Sequence, residues 1–134
     1  MKITTNHLEA ASRRYAPAAL GNGDLSILLD YEGIPRQTES GYGKLLAGIR
    51  RAGFRYDTQR GELISFGYLL HEMAGLGEPV EWEQSLDNSD GVVTSNCRYS
   101  DGTVIESTAF CHLERNILAV RRRIASALPG PYRL

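Results

Sequence analysis

From Val80 to Ile124 the chain repeats one pattern: a strand-length run, then a short turn built from Asp, Asn, Ser and Gly. Val80, Trp82, Gln84 and Leu86 fall on one face of the first run, with Glu81, Glu83 and Ser85 on the other. Asp87 to Gly91 then turns into Val92–Tyr99. Ser100-Asp101-Gly102 leads to Thr103–Leu113, and Glu114-Arg115-Asn116 leads to Ile117–Ile124. Alternating runs joined by such short turns predict an antiparallel meander. Half of each run must be covered by a second layer. On the residues alone a mostly-β domain is expected.

Upstream the punctuation is looser. Asn6 to Tyr15 is polar and admits a helical turn or an irregular arm. Ala16 to Ala19 leads into a glycine loop, Gly21-Asn22-Gly23, and Asp24 to Tyr31 reads as a largely buried strand ended by Glu32-Gly33-Ile34-Pro35. Gln37 to Lys44 reads as loop, Leu45 to Ala52 as a short strand and Gly53 to Gly61 as a polar loop. Leu63 to Met73, apolar on both faces, suits a central strand. Ala74 to Pro79 is a break, since Pro cannot donate to a ladder. Pro129-Gly130-Pro131 is expected to end the chain in extended coil.

At 134 residues the chain fits one domain, 1–134, with a modest core. Fifteen Lys and Arg against sixteen Asp and Glu leave a formal charge of -1, so no overall field favours nucleic acid. Arg121-Arg122-Arg123 alternates between faces of a strand and cannot form one groove-reading surface; a solvated or ion-paired strand end is expected. No run of about 18 apolar residues exists, and no membrane span is expected. Met1 to His7 lacks a secretory signal pattern, which points to the cytoplasm if Met1 is the native start. Cys97 lies opposite Glu106 if the Asp101-Gly102 turn has two residues, or opposite Ile105 if it has three. Either way Cys111 is on the order of 16–20 Å further along, too far for a disulfide.

Candidate chemistry is sparse. Gly21-Asn22-Gly23 could let backbone approach a sugar or a neighbouring domain, with Asn22 donating and accepting hydrogen bonds; an ordinary turn explains the same residues. Glu81 and Glu83 share a strand face about 7 Å apart, as any solvated strand face shows. Nothing implies the contrasting environments that an acid and a base need, so no catalytic residue is assigned. His7, His71, His112 and the cysteines have no metal-ligand spacing, and no metal or cofactor is expected. Among the aromatics, Trp82 belongs to an apolar face. Tyr42 and Tyr56 sit in polar loops, where stacking on a sugar is more open.

The order of these features resembles one family. Leu20-Gly21-Asn22-Gly23-Asp24-Leu25 is similar to the glycine loop near the N-terminus of family-65-like glycoside hydrolases and phosphorylases. Glu81 to Asp87 leading into Gly91-Val92-Val93-Thr94, the turn Tyr99 to Thr103, and Ser107 to Phe110 followed by Arg115 to Arg121 are similar to its successive hairpins. The resemblance runs from about Leu20 to Ile124. It implies a galactose-mutarotase-like sandwich in front of an (α/α)6 barrel that carries the catalytic acid. The chain is expected to hold no such barrel and only part of an all-β, antiparallel sandwich of that kind. A non-catalytic role follows: packing on a barrel and shaping one wall of its sugar site, with carbohydrate met through the parent enzyme. The glycine loop would face that site, making Asn22 and Asp24 substrate-adjacent; Tyr42 and Tyr56 join them as substrate-adjacent candidates only as loop aromatics able to stack on a sugar. The alternatives are a stand-alone carbohydrate-binding module, or a structural fragment that covers its sheet face by self-association.

Overall fold

The computed structural model describes residues 2–5, 18–36, 48–55, 60–69, 72–126 and 132–133. Every regular element among them is a strand: β1 Lys2–Thr5, β2 Ala18–Gly21, β3 Leu25–Leu29, β4 Gly48–Arg55, β5 Arg60–Gly67, β6 Glu72–Met73, β7 Pro79–Asp87, β8 Val92–Tyr99, β9 Val104–Cys111, β10 Leu118–Ala125 and β11 Tyr132–Arg133. All pairings are antiparallel. A five-stranded sheet has the order β1-β7-β8-β9-β10, a four-stranded sheet runs β2-β3-β4-β5, and β6 pairs with β11. The chain is all-β, as the alternation predicts.

The meander forms in sequence order because each turn closes on its neighbour. Gly102, at φ +85°, donates its N–H to the Tyr99 carbonyl, and Tyr99 N–H reaches the Thr103 carbonyl at 2.8 Å. This is the longer of the two turns considered, so Cys97 stands opposite Ile105. Cys97 and Cys111 are both free thiols, as the register requires.

Register lines up the inward residues of the large sheet in rows. Leu86, Val93, Ala109 and Val120 form one row; Trp82, Cys97, Ile105 and Ile124 form another. The first row packs under Leu20, Ile27 and Leu29 of the small sheet. The second packs under Tyr31 and Leu76, which belong to loops. Full burial of an aliphatic such as Ile27, Leu29 or Ile105 contributes about 1.5–3 kcal/mol. The cover is thus a sheet over one half and loops over the other.

Several boundaries differ from expectation. The segment read as a loop from Gly53 is strand as far as Arg55, because the β4–β5 ladder continues through Gly53↔Glu62 and Phe54↔Gly61 to Arg55↔Arg60. Leu63 to Met73 is two elements, β5 and β6. Pro79 opens β7 rather than ending a break; the register shifts between Pro79 and Glu81, where a missing N–H does least harm. That shift leaves Val80 exposed instead of sharing the Trp82 face. At the two ends, β1 adds an unforeseen strand to the edge of the large sheet, and Tyr132–Arg133 pairs with Glu72–Met73 instead of ending in coil. Asn6 to Tyr15 and the segment Pro129 to Pro131 lie outside the described residues.

Candidate functional site

Between the two apolar rows runs a polar one. Gln84, Ser95, Ser107 and Arg122 are register partners across β7, β8, β9 and β10, all on the inward face, and Thr5 of β1 stands opposite Gln84. Buried polar side chains need partners. Here they come from the loop that follows β3.

That loop, Asp30 to Arg36, is wound around Asp30. Its Oδ1 accepts the N–H groups of Glu32 and Ile34, each at 3.0 Å, while its own N–H donates to the Ile34 carbonyl at 2.8 Å. Gln84 Nε2 donates to the Asp30 carbonyl at 2.8 Å and to Ser95 Oγ at 2.9 Å. Gly33, at φ +77°, lies directly on the two serines: a Cβ there would sit 2.8 Å from Ser95 Oγ and 3.1 Å from Ser107 Cβ. Small residues on both sides permit this approach.

The charges then close the junction. Arg122 Nη2 donates to Glu32 Oε2 at 2.7 Å, the Tyr99 hydroxyl donates to Glu32 Oε1, and Arg36 Nε lies 2.8 Å from Asp30 Oδ2. Glu32 is 1% exposed and the Arg122 side chain 8%. Burial pushes the Glu32 carboxyl up, but Arg36, the Tyr99 hydrogen bond and Arg122 outweigh it and hold it below the usual range. Burial dominates at Asp30 and raises it to about 6, against the pull of Arg36. Burial, then the Glu32 charge, keeps the Tyr99 phenol protonated far above its ordinary range. A fixed anion, a neutral phenol and two guanidiniums can bond to one another here. Glu32 and Arg122 are nearly sealed from solvent, and Arg36 is partly exposed. The arrangement fastens the loop to the sheet.

The glycine loop does a related job at one end of the molecule. Asn22 Nδ2 donates to the carbonyls of His112 and Arg115 at 3.0 and 3.1 Å, and its Oδ1 accepts the N–H groups of Asp24 and Leu25. Asn116 Nδ2 donates to Asp24 Oδ2. The β2–β3 and β9–β10 connections are thereby tied together. Beside them opens a cleft of about 460 Å³, lined by Leu20, Leu86, Cys111 and Leu113 together with Asn88, Ser89 and Asp90. Leu113 and Ile117, on the clamped loop, are 80% and 48% exposed.

The structure thus brings Asn22 and Asp24 together at this end, whereas Tyr42 and Tyr56 lie outside the described residues. Trp82 is buried and packs in the core. Glu81 and Glu83 project from the outer face of the large sheet, where Glu83, Thr94, Asn96, Glu106 and Thr108 line a shallow depression of about 340 Å³. Among the described residues, no group of His, Cys, Asp and Glu could hold a metal ion, and no helix is long and apolar enough to cross a membrane.

The buried junction was absent from the sequence reading, although a signal existed. Gln84, Ser95, Ser107 and Arg122 each interrupt an apolar inward phase, and four interruptions on consecutive strands call for a shared partner. No family model, curated protein or solved structure matches the chain.

Proposed function

We propose that this chain is a non-catalytic, mutarotase-like β-sandwich part of a carbohydrate-active enzyme, and that its glycine-loop end docks on a catalytic domain to shape one wall of a sugar site. The observation that carries the reading is the construction of that end. Asn22 ties two connections together by hydrogen bonds, and the loop so tied presents Leu113 and Ile117 to solvent beside a cleft of mixed apolar and polar lining. Exposed apolar side chains beside a cleft suit a partner domain better than bulk water. The described carboxylates support the non-catalytic side: Asp30 and Glu32 are sealed, while Glu81 and Glu83 stand on an open sheet face.

The test compares the wild type with Leu113→Asp/Ile117→Asp by light scattering, aryl-glycoside turnover and glycan-array binding. The reading expects no turnover and no glycan binding by either protein alone, with the melting temperature kept in the variant; concentration-dependent association of the wild type that the variant retains would favour the self-associating fragment instead. A monodisperse wild type that binds glycans would instead establish a stand-alone carbohydrate-binding module, and turnover lost in Glu81→Gln or Glu83→Gln would make the chain an enzyme.

A further inference from the structure

The last strand of the meander is different from its neighbours. Among the described residues β10 pairs with β9 along all eight positions and with nothing on its other side. An open edge of this length presents a row of unpaired backbone groups. The apolar layer also runs out there. Leu118, Val120 and Ile124 are half-buried, while their register partners Cys111, Ala109 and Ile105 are buried.

Arg122 adds a specific demand. Its Nη2 is taken by Glu32, yet Nε and Nη1 are buried and have no hydrogen-bond partner among the described residues. The neighbouring Ser107 Oγ is in the same condition. Unmet buried donors on a guanidinium are costly, and a carboxylate is the acceptor that fits them best. On the opposite face Arg121 and Arg123 are exposed, and Arg123 reaches Glu106 only at 4.0 Å.

We propose that β10 is a docking edge for an acidic extended segment of another polypeptide, which adds antiparallel to the large sheet. Such a strand covers Leu118, Val120 and Ile124, places one carboxylate against Arg122, and sets others against Arg121 and Arg123. Three consecutive arginines also repel a second copy of β10, so the edge selects by charge instead of inviting self-pairing. This inference rests on the sheet edge alone and is independent of the carbohydrate reading, whose docking surface lies at the glycine loop.

Two synthetic eight-residue peptides test it with the intact chain. One carries glutamate at the three positions opposite Arg121, Arg122 and Arg123 and valine or threonine elsewhere; the other carries lysine at those three positions. Amide hydrogen exchange at β10 should slow on addition of the acidic peptide, and the lysine peptide should bind more weakly by about tenfold or more. Arg121→Glu/Arg123→Glu, which changes exposed groups, should shift the preference toward the lysine peptide. Equal binding of the two peptides, β10 exchange unchanged by both, or edge amides of β10 already protected in the free chain would overturn the proposal.

Discussion

The two faces of the large sheet carry the same charged residue types with opposite consequences. Outside, Glu106 and Arg123 approach to 4.0 Å while 52% and 79% exposed, and Glu81 and Arg98 approach to 3.7 Å, also exposed. Inside, Glu32 meets Arg122 at 2.7 Å with both nearly sealed. Exposed pairs of this kind contribute about 0–1 kcal/mol, because water competes for each partner. Breaking a buried pair by removing one member costs about 3–5 kcal/mol, because the other charge is stranded. Charge is decorative on one face and structural on the other. That difference also bears on function: an acid beside a phenol and two guanidiniums suggests a reaction centre, but its enclosure makes it a fastening.

The comparison can be broken most sharply at Glu32. Glu32→Gln leaves Arg122 and Arg36 without their shared anion and should lower unfolding stability by about 3–5 kcal/mol in urea titration. A loss below about 1 kcal/mol would place Glu32 with the outer-face residues.

Asp30 sharpens it through pH. Its carboxyl is raised from 3.8 to about 6, so the folded state holds the proton more tightly than the unfolded chain. Its contribution is therefore full below about pH 4 and declines as pH rises to about 6, by roughly 3 kcal/mol at most. Glu32 acts in the other direction, since its depressed carboxyl loses its contribution only as pH falls below the ordinary glutamate range. Urea midpoints measured from pH 4 to 7 should fall across the Asp30 window in the wild type and stay flat there in Asp30→Asn. A wild-type profile rising over the same interval would contradict the assignment.

Gly33→Ala tests the close approach of loop and sheet. The added Cβ meets Ser95 Oγ at 2.8 Å from a backbone at φ +77°, so a loss of about 2 kcal/mol is expected in thermal or urea unfolding. Replacing Ser95 by glycine in the same chain should recover part of it. At the far end of the scale, Glu106→Gln should change stability by less than about 0.5 kcal/mol.

How much of this was legible in the sequence follows from where the information lies. β7 to β9 could be read because each ends in a turn with its own chemistry, and β8 and β9 alternate between buried and open positions along their length. β1 could not, since four residues such as Lys2 to Thr5 have no pattern until Leu86 and Gln84 are placed opposite them. The β4–β5 hairpin was misread because Gly53 and Gly61 look like loop punctuation, whereas each sits in the ladder opposite a larger neighbour. The polar row was visible as odd inward residues, but its meaning needed register. Nothing local in Asp30-Tyr31-Glu32 says that an arginine ninety positions on will face it. The roles of Asn22 and Asp24 as a clamp are of the same kind, since their partners lie in the β9–β10 connection.

The central claim, that the inward charges fasten the loop while the outward ones do little, is tested most directly by two double-mutant cycles in urea. One combines Glu32→Gln with Arg122→Met, the other Glu106→Gln with Arg123→Met. The account predicts a coupling of about 2 kcal/mol or more in the first and below about 0.5 kcal/mol in the second. Couplings of equal size in the two cycles would contradict it.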